Sequence, residues 1–194
     1  MKTSNWKTVM LAGVMCGAAA IVSAQDNSKG EPQGMPPMGP PEEMKQCASL
    51  VGTWDCVMKM HMSMDPNDTS WMESKAVATY KYILGGSSIE MTFEATMMGQ
   101  PFVGGGWMFY DRESKMWQQS WADNMSARLS LYTGTKGANS SSFSGEDKMM
   151  GQTYLSRIST SNETATSFDW KGEQSMDGGK TWSVWATAVY TKRK

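Results

Sequence analysis

Histidine and cysteine are scarce in this 194-residue chain. His61 is the single histidine, which excludes a zinc site built from several imidazoles. A Ser-His-Asp triad would have to use this one residue. Of the three cysteines, Cys16 precedes a predicted cleavage site, which leaves Cys47 and Cys56. These two could form one disulfide or stay as two buried thiols, and the sequence leaves both alternatives open.

Strong charge and long apolar segments are lacking as well. The formal net charge is −1, and the only basic run is the last four residues, 191–194. The electrostatic pattern of a nucleic-acid-binding protein is therefore absent. Beyond the N-terminal region no stretch is long and apolar enough to cross a bilayer, so the sequence predicts no membrane span in the mature chain.

The first 24 residues have the pattern of a secretory signal peptide. Lys2 and Lys7 form a basic segment, residues 9–22 are apolar, and Val22-Ser23-Ala24 ends in the small residues typical of a cleavage site. We therefore predict a secreted or periplasmic protein. Residues 25–40 are rich in proline and glycine and poor in apolar residues, which predicts a disordered leader.

Short alternating runs make up the remainder, residues 41–194. A short helix is predicted over 41–50, because Pro41 suits a first turn and Glu42 and Glu43 suit a helix N-terminus. Alternation of apolar and polar residues then predicts ten strands, at 52–64, 72–83, 88–96, 104–110, 116–122, 127–133, 140–147, 152–159, 164–171 and 181–191. Short connections favour an antiparallel up-and-down meander, and closing it into a β-barrel removes its exposed edges.

Several short motifs resemble the secreted family known as domain of unknown function 1579. They are Gly52-Thr53-Trp54, Leu84-Gly85-Gly86, Gly106 with Tyr110-Asp111, and Trp121-Ala122-Asp123, extended by Gly134, Trp185 and Tyr190. A short helix leading into Gly-Thr-Trp also resembles the start of lipocalin-like (calycin) barrels, in which the tryptophan packs across the closed end. The resemblance implies a closed antiparallel barrel and no known activity. By analogy with lipocalins it implies binding of a small apolar ligand.

The chain holds 20 methionines and nine tryptophans, residues that suit an adaptable apolar pocket. Trp54 is expected to close the barrel floor. The predicted lining is Trp54, Met58, Met60, Met62, Tyr80, Tyr82, Met91, Phe93, Trp107 and Trp121. Tyr80, Tyr82, Gln119 and Arg128 are candidate polar groups among the aromatic residues. We predict no cofactor and no catalytic set, so an enzyme is less favoured than a binding protein.

Two alternatives stay open. Met58, Met60, Met62 and Met64 share one strand face, and thioether sulfur selects Cu(I), so this strand could form a periplasmic copper site. His61 has the opposite parity and is expected to point away from the methionines. The barrel could also act as an enzyme or as a protein-interaction module. Asp111 lies in a predicted turn and Asp123 at a predicted strand end, and acids at such positions usually bind their own backbone.

Overall fold

The chain forms a closed β-barrel of ten antiparallel strands. The structure is a computed structural model, which describes residues 38–61, 69–149 and 151–194. The strands are β1 (Gly52–Met60), β2 (Met72–Ile83), β3 (Ser88–Met97), β4 (Gln100–Asp111), β5 (Met116–Asp123), β6 (Leu129–Lys136), β7 (Ser141–Met149), β8 (Gln152–Ser161), β9 (Ser167–Ser175) and β10 (Ser183–Lys192). Strands pair in chain order, and β10 pairs with β1. The predicted up-and-down barrel is confirmed.

Some sequence predictions fall outside the described residues. These are the signal peptide over 1–24, the leader up to residue 37, and the methionines at positions 62 and 64. Among the residues that the structure describes, no helix has both the length and the apolar character that a membrane crossing requires.

One end of the barrel, called here the closed end, is covered by a 3₁₀-helix. This helix, Glu42–Cys47, is shorter than predicted, and it buries Met44 and Cys47. The Tyr82 hydroxyl donates a hydrogen bond to the carbonyl oxygen of Met44 at 2.7 Å, which ties the helix to β2. A second 3₁₀ segment, Leu84–Gly86, turns the chain between β2 and β3. The left-handed φ of Gly85, 64°, favours glycine there.

Strand β1 has the face pattern that its sequence predicts. Its apolar face, Trp54, Cys56, Met58 and Met60, is buried in the barrel, while the intervening residues 55, 57 and 59 are exposed. This is the period-two alternation of a strand with one buried face. The methionines of β1 therefore point inward.

Strand β6 buries the more polar of its two faces. Leu129 and Leu131 are each 63% exposed, whereas Ser130 and Tyr132 are buried. Both buried hydroxyls donate to the carboxylate of Asp147 on β7, at 3.2 and 3.3 Å. Because these hydroxyls form hydrogen bonds inside the barrel, the free-energy cost of burying them is offset. The leucines of β6 therefore face outward.

Cys47 and Cys56 are both free and buried. Burial raises the pKa of Cys47 to about 12 and that of Cys56 to about 11. Since the thiolate is the reactive form of cysteine, both side chains behave as small apolar residues. Of the two alternatives left open by the sequence, the structure has the pair of buried thiols.

Candidate functional site

Trp54 forms the floor of the barrel under the 3₁₀-helix. Its side chain is fully buried, and its indole N–H donates to the Leu50 carbonyl oxygen at 2.7 Å. The ring meets Phe168 edge-on, with 4.8 Å between centroids. The Lys192 Nζ lies over the indole, 5.1 Å from its centroid, and donates to the Ser49 carbonyl oxygen. The closed end is therefore sealed by packing and by hydrogen bonds.

A buried ion pair completes the closed end. The Nζ of Lys136, on β6, lies 2.6 Å from a carboxylate oxygen of Glu163, in the β8–β9 connection. Their side chains are 0% and 2% exposed. Thr160 donates a short hydrogen bond to the second carboxylate oxygen, and the Thr160 hydroxyl also contacts the Ser141 hydroxyl at 2.6 Å. Because the two charges neutralise each other, we interpret the pair as structural.

The end opposite the helix, called here the far end, carries aromatic rings inside the barrel. Phe93 contacts Phe102 and Trp121 edge-on, with centroid distances of 6.0 and 6.2 Å. The indole of Trp121 lies directly against Gly104, where a Cβ atom would be 2.8 Å from a ring carbon. A glycine is thus required at this position to seat the ring.

A second aromatic pair packs in the same way on the opposite wall. Trp170 and Trp185 lie 5.6 Å apart edge-on, and a Cβ atom at Gly172 would come within 2.6 Å of the Trp185 ring. A register shift between Val184 and Ala186 in β10 turns Trp185 toward the core. Two tryptophan walls therefore face the barrel interior.

Several apolar side chains that pack against the core remain partly exposed. They are Val51, Met72, Met91, Ala95, Phe102, Tyr110, Trp121, Ile158, Trp170 and Trp185, and all of them except Val51 and Tyr110 lie away from the helix. Such side chains keep accessible surface where space remains inside the barrel or at its mouth or, for Trp170, beside a groove on the outside. Accessible apolar surface therefore lines the part of the interior away from the helix.

Two grooves lie along the barrel wall, and the first of them is bordered by Trp170 of this interior set. One, of about 510 Å³, crosses the outside of β8, β9, β10 and β1 and includes Val57, Lys59 and Val189. The other, of about 310 Å³, lies along β7 to β9 near Tyr154 and Met176. Neither is lined by a residue of the predicted lining.

The structure brings together most of the predicted lining. Trp54, Met58, Met60, Tyr80 and Phe93 are buried in the core. Met91 and Trp121 pack against this core and remain partly exposed, as described above.

Two predicted lining residues, Trp107 and Tyr82, are placed differently. Trp107 is 49% exposed on the outside, where its indole N–H donates to Glu90 at 3.4 Å. In β4 the even-numbered residues, including Met108, face inward, so Trp107 has the wrong parity for the interior. Tyr82 is 38% exposed and holds the helix at the closed end. Met62 lies outside the described residues.

A polar cluster inside the barrel was only partly predicted. The Asp147 carboxylate is 2.5 Å from a terminal nitrogen of Arg128, and it also accepts hydrogen bonds from Ser130 and Tyr132. Burial, together with the Asp147 charge, raises the pKa of Tyr132 to about 12. Sequence reasoning named Arg128 and missed the other three. The signal was available, since residues 128, 130 and 132 share one parity.

The two turn acids have structural roles, as predicted. Asp111 accepts from the Ser114 hydroxyl and the Glu113 N–H, and these bonds hold its pKa below the ordinary value. Asp123 accepts from the indole N–H of Trp121 and from two backbone N–H groups. Within the described ranges, no three histidine, cysteine or acidic side chains are grouped to hold a metal.

Comparison with solved structures finds similar chains at low sequence identity. A redesigned β-barrel is 12% identical, with a TM-score of 0.41, covering 77% of this chain and 96% of its own. The structure EF1p2_mFAP2b bound to DFHBI is 11% identical, with a TM-score of 0.43, covering 77% and 98%. The S-type phycobiliprotein lyase CPES from Guillardia theta is 10% identical, with a TM-score of 0.49, covering 79% and 92%.

The sequence itself has no significant match among curated proteins. It does match one family model over residues 39–192, which span every strand of the barrel. The chain therefore belongs to the family described as "Protein of unknown function (DUF1579)".

Proposed function

We propose that this is an exported protein that binds a small, largely apolar molecule inside the far half of the barrel. The observation that carries the proposal is the set of inward aromatic and thioether side chains that remain partly exposed. Aromatic and methionine side chains with a few polar groups are the usual lining of small-molecule pockets. The sealed closed end leaves the far end as the route of entry.

Native mass spectrometry of the protein expressed from the full sequence tests both parts of the proposal. After mild extraction, we expect the mass of residues 25–194 and a bound adduct of small mass. Added N-phenyl-1-naphthylamine, a neutral apolar dye, should bind and fluoresce. Trp121→Ala should weaken dye binding about tenfold or more, since it removes an interior ring.

The matched control is Trp107→Ala, which removes an indole from the outside face and should leave dye binding within about twofold. A mature protein with neither an adduct nor dye binding would overturn the binding proposal. Retention of residues 1–24 would overturn the proposal of export and leave the binding proposal unaffected.

A soft-metal site is a second candidate, because the structure adds methionines from neighbouring strands. Met60 on β1 pairs directly with Met72 on β2, and Met58 and Met97 are buried in the same core. Directly opposed residues of antiparallel strands have Cβ atoms about 5 Å apart, within reach of a shared ligand. Thioether donors from two or three strands favour Cu(I).

Anaerobic titration against a Cu(I) chelator tests this candidate. We expect the protein to take Cu(I) from the chelator. Met60→Leu should weaken Cu(I) binding about tenfold, whereas Met176→Leu, at an exposed loop position, should leave it unchanged. Failure of the protein to compete with the chelator counts against a copper site.

A further inference from the structure

Arg128 carries a buried hydrogen-bond donor with no partner. Its Nε atom is the one buried side-chain nitrogen or oxygen in the described part of the chain that lacks a hydrogen bond. A terminal nitrogen of the same guanidinium pairs with Asp147. Leaving a buried donor unsatisfied is costly, so native proteins rarely retain one without a reason. The Arg128 side chain as a whole is 37% exposed, and its Nε–H is left as a donor without an acceptor.

The position of Arg128 links this donor to the proposed binding surface. Arg128 precedes β6 and has the parity of Ser130 and Tyr132, which face the interior. Ser130 pairs directly with Trp121 on β5, whose indole forms part of the interior wall. An apolar molecule lying against Trp121 would therefore bring its polar end to the Arg128 cluster.

The charges around Arg128 select the kind of acceptor. The Asp147 carboxylate neutralises the guanidinium, with only 11% of its side chain exposed. Asp123 ends β5 on the inward parity, and the pairing of Ala122 with Leu129 places it across from Arg128. Two carboxylates against one guanidinium disfavour a second anion. A neutral oxygen can accept the hydrogen bond without this repulsion.

We propose that the ligand bears a neutral hydrogen-bond acceptor, such as a ketone, ester or amide carbonyl, that accepts from the Arg128 Nε–H. This inference rests on the proposed apolar binding function and specifies its ligand. The apolar part of the ligand lies against the interior aromatic and methionine side chains, such as Trp121 and Met91. Its carbonyl oxygen contacts the cluster of Arg128, Asp147 and Tyr132. Tyr132 and Ser130 fix the orientation of Asp147, which in turn fixes the guanidinium.

The test is displacement of N-phenyl-1-naphthylamine by three molecules of similar size, using the whole mature protein. Acetophenone has a neutral carbonyl, ethylbenzene has no acceptor, and benzoate is an anion. We expect acetophenone to bind more tightly than benzoate. Arg128→Lys keeps the positive charge and removes the Nε–H, so it should weaken acetophenone about tenfold and leave ethylbenzene within about twofold.

Arg112→Lys is the matched control, because Arg112 follows β4 at the closed end, where it donates to the Gly39 carbonyl oxygen. It should change neither displacement. Equal weakening of acetophenone and ethylbenzene by Arg128→Lys would overturn the acceptor proposal, as would tighter binding of benzoate in the unmodified protein. In both cases dye binding persists and the proposed function stands. Absence of dye binding in the unmodified protein overturns both.

Discussion

Glu163→Gln should lower the free energy of unfolding by about 3–5 kcal/mol. The substitution leaves the Lys136 ammonium group, whose side chain is fully buried, without its anionic partner. It also weakens the bond from Thr160, which now meets an amide oxygen. Water cannot reach the ammonium to compensate, so the cost is that of a buried unpaired charge. Urea denaturation followed by tryptophan fluorescence measures the change.

Two further variants separate this effect from a general effect of losing a carboxylate. Glu42→Gln breaks the ion pair between Glu42 and Lys45, whose side chains are 82% and 77% exposed. Because this pair lies in solvent, its loss should change the free energy of unfolding by less than about 1 kcal/mol. The double variant Lys136→Met with Glu163→Leu removes both charges and should recover most of the lost stability. A Glu163→Gln protein as stable as the Glu42→Gln protein would contradict the role given to the pair.

Gly134→Ala should destabilise the barrel by roughly 3 kcal/mol or more, or prevent folding. A Cβ atom at this position would overlap the carbonyl oxygen of Ser142 and lie 2.7 Å from the Cα of Phe143. Both atoms belong to the β7 backbone, which cannot rotate away as a side chain can. The β6 and β7 backbones would have to move apart at Gly134. This residue lies within the segment Thr133–Lys136, through which β6 pairs with β7.

Gly137→Ala is the control, three residues along the same chain. A Cβ atom there would have its nearest neighbour, the Ser140 carbonyl oxygen, at 3.8 Å, which is an ordinary contact. We expect its urea midpoint to stay close to that of the unmodified protein. If the two alanine variants unfold at the same urea concentration, the close approach of β7 to Gly134 does not limit stability.

The strand pattern made the fold predictable from the sequence. Strands such as β1 alternate between one solvent face and one core face, so a period of two is visible in residues such as Trp54, Asp55 and Cys56. Short turns then leave few ways to connect the strands. The short helix was predicted for the same local reasons, but Glu42–Cys47 adopts a tighter 3₁₀ form that covers less chain.

The candidate site was less predictable, because the alternation within one strand does not reveal which residues of other strands each face contacts. Trp107 and Trp121 look alike in sequence, yet one lies on the outside beside Glu90 and the other covers Gly104 in the interior. Hydrophobicity misleads at β6, where the leucines are outside. The burial of Ser130 and Tyr132 depends on Asp147, which is 15 to 17 residues away in the chain, and only the register of β6 and β7 brings them together.

The pairing of β1 with β10 constrains the order in which the chain can fold. Every other strand pair joins neighbours in sequence and can form as a local hairpin, whereas Cys56 must find Tyr190 across nearly the whole domain. Closing so long a loop is the slow step of such topologies, because the chain loses conformational entropy before the stabilising β1–β10 contacts form. During synthesis the barrel therefore stays open until its last strand has emerged, and the growing chain exposes two unpaired strand edges until then.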